Sequence, residues 1–332
     1  MNDEFYMNIL INHTWKTQGC ALPNPSVGAM ILDSNNQIIA LEVHDSFGDS
    51  HAELKAYKSA YIKLNKDKRL DSINNPNEIY EFLSKNHNGI FFNTTIFVTL
   101  EPCAHFGKTP PCAKLISELK PRRVVISSKE KNSIASHGSD FIKSHNIEVR
   151  MGVLENKGDD LLLPFLELKK NNSLSIYKIA QRLNGSFKNG TISSIESRIY
   201  SHKLRNVADK ILISQKTVLN DNPMLDSRLV NGRAPEICVI GRENKLNKDL
   251  NIFLANREIY FVNKINDLDF KGFNIIEGGG KLFKTMEKHI KYMLVFISPK
   301  MMRGVNFQSN FSGRILNSFT LGEDVVLWIQ KN

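Results

Sequence analysis

Apolar positions along the chain fall into short blocks, some with helical spacing and some in continuous strand-like runs. Over residues 2–18, Phe5, Ile9 and Trp15, with Met7, Leu10 and Ile11, predict one amphipathic helix. The runs PNPSVGAMIL (23–32) and QIIALEV (37–43), joined by the polar DSNN, predict a hairpin. From Ser50 to Lys63, Leu54, Tyr57, Ala60 and Tyr61 make an apolar stripe and predict a helix. Residues 65–92 are polar and Asn-rich, with a short helix around Glu78–Lys85, and are read as an inserted loop decorating the surface. IFVTLEP (96–102) predicts a buried strand, and PPCAKLISELK (110–120) a helix with Thr109 as N-cap and proline at its start. RRVVIS (122–127) and IEVRMGV (147–153) predict strands on either side of a helix near 139–145. Strands alternating with helices imply an α/β domain with parallel pairings, ending near residue 153.

Residues 154–172 carry the charged stretches ENKGDD and KKNN and are read as a linker. Alternation then resumes. SLSIYKIA (173–180), DKILIS (209–214), EICVIG (236–241) and REIYFVN (257–263) predict strands, with a helix over Ser194–Asn206. FNIIEGGGKLFKTM (273–286) reads as strand, glycine loop and helix, and MLVFISPK (293–300) and DVVLWIQ (324–330) as the last strands. No internal repeat is visible. The expectation is two different α/β domains, 1–153 and 173–332.

The length of 332 residues suits two domains. With 41% hydrophobic and 23% charged residues, the chain has ordinary globular composition, which excludes disordered and collagen-like classes. No apolar run approaches the roughly 18 residues of a membrane helix, and acidic residues stand where a secretory signal would be basic, so a cytoplasmic enzyme is expected. The net charge of +10 invites a nucleic-acid reading. The lysines, however, are scattered singly among asparagines, as in KLNKDKR and VNKIN, and a small phosphorylated substrate suits a basic chain equally well. Of the cysteines at 20, 103, 112 and 238, only Cys103 and Cys112 sit next to prolines and downstream of a histidine motif.

That motif, His51-Ala-Glu53, is short, and Ser50 to Glu53 also fits a capping box at a helix start. The segment EPCAHFGKTPPC (101–112) adds to it. His51, Cys103 and Cys112 make three ligands of the type zinc prefers, leaving a fourth position open as in catalytic sites. Glu53, two residues from His51, is placed to act as proton carrier without ligating; zinc lowers the pKa of a bound water towards about 7, and a carboxylate can pass its proton to a departing amine. A closed structural site with His105 as fourth ligand is the competing arrangement.

These residues resemble the cytidine-deaminase superfamily, with His-x-Glu followed by Pro-Cys and a second Cys. The usual gap between the cysteines is two residues; here it is eight, and this form, with PNPSVGAMI (23–31), resembles the deaminase domain of the bifunctional riboflavin-biosynthesis deaminase/reductase family. The resemblance implies a three-layer α/β/α domain, Zn2+ on His51, Cys103 and Cys112, Glu53 as the catalytic residue, and His105 as a pocket residue. It departs at 130–133, where EKNS replaces the family's Asp-Pro-Asn-Pro beside the substrate.

In the second half, EGGGK (277–281) follows an apolar strand and precedes a helix. It suits either phosphate approach to a helix N-terminus or simply a tight turn, and it is not GxGxxG. In HKLRNVADKILISQKTVLNDNPMLDSR (202–228), Arg205 and Arg228 could clamp a phosphate, while Thr217 and Asp221 fall in an expected loop after a strand. A solvated helix face for Arg205 and turn capping for Asp221 are the plainer readings. With KIAQRLNG (178–185), the set resembles the reductase domain of the same family, which has a dihydrofolate-reductase-like α/β fold and uses NADPH. The resemblance implies that Ala180, Thr191, Thr217, Asp221, Gly279, Gly280 and Lys281 face the cofactor. It places Asn189, Arg205, Leu225, Arg228 and Glu277 on the substrate side. Arg182 and Asn184 replace the family's Ser and Asp, and residues are missing before Thr191, where an aromatic is common.

The function implied is zinc-dependent deamination of 2,5-diamino-6-ribosylamino-4(3H)-pyrimidinone 5′-phosphate, followed by NADPH-dependent reduction of the ribosyl group to ribityl. The partner expected is that small phosphorylated pyrimidine, with no nucleic acid or membrane and with self-association as in the family. The alternatives are a deaminase with a degenerate reductase half, a tRNA or DNA base deaminase, and a non-catalytic protein with a structural zinc site.

Overall fold

Asn2 accepts a hydrogen bond from the Phe5 amide and caps α1 (Asp3–Trp15), whose Met7, Leu10, Ile11 and Trp15 are buried. The computed structural model describes residues 2–65, 67–105, 110–131 and 137–332, and the chain divides into two units, Met1–Leu163 and Pro164–Asn332. Among the described residues no helix is long and apolar enough to cross a membrane.

In the first unit, β1 (Gly28–Leu32) pairs antiparallel with β2 (Ile38–Val43) and with β3 (Thr95–Leu100). β3 continues in parallel to β4 (Arg123–Ser128) and β5 (Glu148–Arg150), giving the order β2-β1-β3-β4-β5. Alternate residues divide the sheet's faces. Ala29, Ile31, Ile96, Val98, Val124 and Ile126 pack with α2 (Ala52–Leu64), α3 (Pro76–Asn86), α4 (Cys112–Leu119) and α5 (Gly138–Ser144). The other face takes α1: the Tyr6 and Phe97 rings lie 5.7 Å apart, and a Cβ at Gly28 would stand 2.2 Å from Thr14 Oγ1. The result is an α/β/α sandwich. Residues 65–92 do not decorate the surface as expected: Leu70, Leu83 and Phe91 are fully buried and Ile79 nearly so, in the same core as the sheet. The short helix expected around Glu78–Lys85 is α3, slightly longer at both ends; its Ile79, Tyr80 and Leu83 share one buried face, and Asn75 caps its start.

The segment read as a linker is a helix, α6 (Glu155–Asn171), with Pro164 inside it. In the second unit, β6 (Ser173–Arg182), β7 (Lys210–Ser214), β8 (Glu236–Ile240), β9 (Ile259–Val262), β10 (Gly272–Glu277) and β11 (Tyr292–Ser298) run parallel, and the hairpin β12 (Gly313–Leu321) and β13 (Asp324–Lys331) adds on antiparallel. The order is β12-β13-β11-β6-β10-β7-β8-β9. Gly322, at φ 55, opens the tight turn between the last two strands. The loop expected around Thr217 and Asp221 is instead a short helix, α8 (Gln215–Asp221), capped by Ser214; α7 (Ile195–Val207) and α9 (Gly280–Met286) complete the helices that position the site. Ligands in parallel α/β sheets bind beyond the carboxyl ends of the strands. Here those ends are Arg182, Ser214, Ile240, Val262, Glu277 and Ser298.

Candidate functional site

In the first unit the chemistry lies where β2 hands over to α2 and β3 to α4. His51 is the N-cap residue of α2, with extended backbone and no side-chain capping bond, so the Ser50–Glu53 capping box does not form. Glu53 instead turns inward and is 4% exposed. Cys112 is the first residue of α4 and Cys103 follows β3; the Cys112 amide donates to Cys103 Sγ at 3.4 Å. His51 Nδ1 lies 3.3 Å from Cys112 Sγ and 3.8 Å from Cys103 Sγ, and all three donor atoms fall within 4.8 Å of one another. Zn–S bonds of about 2.3 Å and Zn–N bonds of about 2.0 Å in a tetrahedron require N···S edges of roughly 3.5 Å, so the set fits zinc. Among the described residues the cluster has three donors; His105 is exposed and outside it.

The protons in this cluster are shared. The Cys112 thiol and His51 donate to Cys103, whose pKa falls to about 4, while Cys112 is pushed up by that bond and by burial. The bond to Cys103 raises His51 to about 9. Burial raises the Glu53 carboxyl, against the pull of the His51 charge. A buried carboxyl able to hold a proton beside a thiolate and imidazole set is the arrangement of a proton shuttle at a metal.

Two supports were not singled out in the sequence. His44, 4% exposed, sits edge-on to His51 with ring centroids 5.8 Å apart. Burial lowers its pKa, so the ring is neutral. Its Nδ1 donates to the Ser50 carbonyl at 3.1 Å and Nε2 accepts from Asn24 at 3.3 Å, a tautomer assigned from this network. Glu101 accepts from the Ser139 amide and hydroxyl at 3.0 and 2.6 Å and from the Glu130 amide at 3.2 Å. It thereby holds both flanks of the segment containing EKNS. Asn132 and Ser133 of that segment, and Thr109, lie outside the described residues.

In the second unit the sequence-selected residues reach one edge of the sheet, but only some touch. Arg205 on α7 donates through Nε and Nη2 to Glu277 at 2.9–3.2 Å, so the two clamp each other. Lys178 Nζ stands 3.8 Å from the same carboxylate. Burial alone would raise Glu277; the Arg205 and Lys178 charges override it and hold it at about 2. Arg228 pairs with Asp226 at 2.5 Å, and its side chain is half exposed. Leu225 is buried with a left-handed φ of 54°, and Arg257 Nη1 holds its carbonyl at 2.7 Å. His202, buried beside Arg205, is lowered to about 4 by burial and by that charge. Four cations (Lys178, Arg205, Arg228, Arg257) thus face two carboxylates (Glu277, Asp226), and the excess suits a phosphate.

Ala180 lies within β6, Thr217 and the exposed Asp221 on α8, and the exposed Asn189 and Thr191 in the stretch before α7. Among the described residues these are not hydrogen-bonded to one another. Gly278 and Gly279 form a turn held by the Tyr177 hydroxyl at 2.6 and 3.0 Å, and Gly280 and Lys281 begin α9. A Cβ at Gly280 would stand 2.9 Å from the Gln308 carbonyl, so close packing accounts for that glycine. For a nicotinamide dinucleotide the fit rests on this edge as a whole: carboxyl strand ends, a glycine turn and a cationic excess. Lys178 and His202 were missed in the sequence; the detectable signal was a lysine inside the apolar run SLSIYKIA.

Residues 1–128 match the family model described as the cytidine and deoxycytidylate deaminase zinc-binding region, and residues 178–302 match the RibD C-terminal domain. The chain is 27% identical over 379 residues to riboflavin biosynthesis protein RibD of Aquifex aeolicus, covering 99% of this chain and 98% of the relative. It is 29% identical over 249 residues to the protein of that name from Mycobacterium tuberculosis, covering 72% of this chain and 66% of the relative. Among solved structures, a diaminohydroxyphosphoribosylaminopyrimidine deaminase/5-amino-6-(5-phosphoribosylamino)uracil reductase from Thermotoga maritima matches with TM-score 0.65 and 26% identity, covering 99% of this chain and 98% of that one. RibD of Acinetobacter baumannii shares the fold, with TM-score 0.63 at 20% identity and 99% coverage of both chains.

Proposed function

This chain belongs to the RibD family of bifunctional riboflavin-biosynthesis deaminase/reductases, and from that membership we propose how its residues divide the work. The observation that carries the reading is the His51, Cys103 and Cys112 donor set at tetrahedral spacing with the buried Glu53 beside it. The substrate is 2,5-diamino-6-ribosylamino-4(3H)-pyrimidinone 5′-phosphate. His51, Cys103 and Cys112 hold the zinc, which when bound activates water near neutral pH. Glu53 takes a proton from the attacking water and delivers it to the departing amine, so ammonia leaves as the ring amine becomes a carbonyl. Neutral His44, fixed by Ser50 and Asn24, keeps the His51 side of the pocket in register. Cysteines kept reduced, as zinc ligation by Cys103 and Cys112 requires, suit a reducing, cytoplasmic compartment.

The second unit takes the deaminated product and NADPH. Arg205, Arg228 and Leu225 line the substrate side, and Glu277, held ionised by Arg205 and Lys178, faces the sugar. Ala180, Thr191, Thr217, Asp221 and the turn from Gly279 to Lys281 line the cofactor side, with Asn189 near the substrate. Hydride transfer needs its two carbons held at roughly 3–3.5 Å, so orientation is the main contribution of these residues. The test is product identification by mass spectrometry, with NADPH first withheld and then added, alongside zinc analysis. Expected are one zinc per chain, ammonia release without NADPH, and the ribityl product only with it. Ammonia release with no NADPH oxidation would confine the activity to the first unit.

A further inference from the structure

One buried charge at the edge of the second sheet has no part in the chemistry proposed above. Arg182 is the last residue of β6, opposite Ser298 of β11, and is 3% exposed. A guanidinium removed from water is costly unless its donors and charge are met. Among the described residues no carboxylate lies within ion-pair reach of it. Its partners are instead two carbonyls: Nη1 donates to Lys188 O at 2.8 Å and Nη2 to Asn189 O at 2.5 Å.

The stretch it grips has little else to hold it. Residues 183–187 are fastened to 300–307 by Leu183 N to Lys300 O at 3.0 Å, Phe187 N to Val305 O at 3.1 Å and Phe307 N to Gly185 O at 3.1 Å. Asn184 adds a bond to the Met302 carbonyl at 2.9 Å. At the far end, Ser194 caps α7, and its amide donates to Asp324 at 2.8 Å. Between these fixed ends, and among the described residues, the two Arg182 bonds are the hydrogen bonds that reach 188–193. They land at a chain reversal, where Asn189 and Gly190 are both left-handed with φ of 68° and 73°. Thr191, on the cofactor side in the reading above, follows immediately.

We propose that Arg182 is a positioning residue for NADPH: its guanidinium fixes the 188–191 segment beside the carboxyl end of β6, so the cofactor meets an ordered wall. This rests on the reading of the second unit as a reductase. Without the tether the segment would have to be ordered by the cofactor itself, and that entropy would be taken from binding. A serine at this position, as the family resemblance would place there, could not span to carbonyls six and seven residues on.

The test uses the full chain with Arg182→Met, which keeps length and removes all donors, and Arg182→Lys, which keeps charge with a single donor group. NADPH binding is titrated by fluorescence, and tryptic cleavage after Lys188 is followed by mass spectrometry. Loss of two hydrogen bonds predicts about tenfold weaker NADPH binding and about tenfold faster cleavage for Arg182→Met. The lysine variant should lie between, with kcat at saturating NADPH and ammonia release unchanged. NADPH affinity and Lys188 cleavage both within about twofold of wild type, in a variant whose Trp328 fluorescence reports a folded second unit, would overturn the proposal. If Arg182→Met does not fold, the lysine variant decides by the same two measurements. If the wild type binds no NADPH, the reductase reading fails, and the cleavage rates alone decide whether Arg182 tethers the segment.

Discussion

Glu53 and Glu277 are both buried carboxyls, and their neighbours push them in opposite directions. Burial dominates at Glu53 and raises its pKa, which suits a group that accepts a proton and gives it up again. Glu53→Gln keeps the shape and removes the proton traffic, so ammonia release should fall by about 10²–10⁴-fold with zinc content unchanged. Glu277 is held at about 2, below its ordinary 4.5, because Arg205 and Lys178 outweigh burial. A depressed carboxylate stabilises the fold fully above its ordinary value and loses that contribution as pH falls. The second unit of the wild type should therefore lose stability between about pH 4.5 and about pH 2. Glu277→Gln should lack that loss and be weaker at neutral pH by about 3–5 kcal/mol, since two buried cations are left unpaired. Denaturant unfolding in a Trp15→Phe background, with Trp328 as reporter, measures both. At this scale the sequence was informative where motif spacing brings the chemistry together, as with His51, Glu53, Cys103 and Cys112. It was silent on His44, Lys178 and His202, whose roles come from partners distant along the chain.

The strands and helices with one clear period were legible, including α1, α2, α4, β3, β4 and β6 near their observed bounds. The misreadings share a cause: polar residues that form caps and exposed faces were taken as loops. Residues 154–172 looked like a charged linker, yet they form α6, in which Leu161 and Leu162 are buried. In β12, Ile315 is exposed while Phe319 is buried, so the edge strand lacks the continuous apolar run of its neighbours. The case with most consequence is α3, expected as a short helix around Glu78–Lys85 but within a surface loop, whereas it packs into the core. Its Tyr80 and Ser84 hydroxyls donate to Glu118 on α4, at 3.0 and 2.5 Å, so the segment braces the helix that begins with Cys112. Leu83 is fully buried, and Leu83→Ala should cost about 2–5 kcal/mol, measured by thermal or urea unfolding of the first unit. A decorating loop would cost almost nothing.

At the scale of the whole chain, the order of motifs was legible because each is local. The units divide at Leu163 and Pro164, inside the stretch 154–172 read as a linker; that this stretch is helix was not legible. The net charge of +10 first suggested nucleic acid; part of it now has a place, in the cations gathered at the carboxyl edge of the second sheet. The two chemistries draw on different resources. The metal donors and Glu53 all belong to the first unit, and the residues assigned to NADPH all belong to the second. Removing the metal should therefore separate the activities. Treatment with a zinc chelator should abolish ammonia release from the diaminopyrimidine phosphate. The same preparation, given 5-amino-6-(5-phosphoribosylamino)uracil, should still oxidise NADPH at close to the untreated rate, and added zinc should restore deamination. If chelation stops both reactions while Trp328 fluorescence stays native, the second activity depends on the zinc-bearing unit, and the division of labour by unit is wrong.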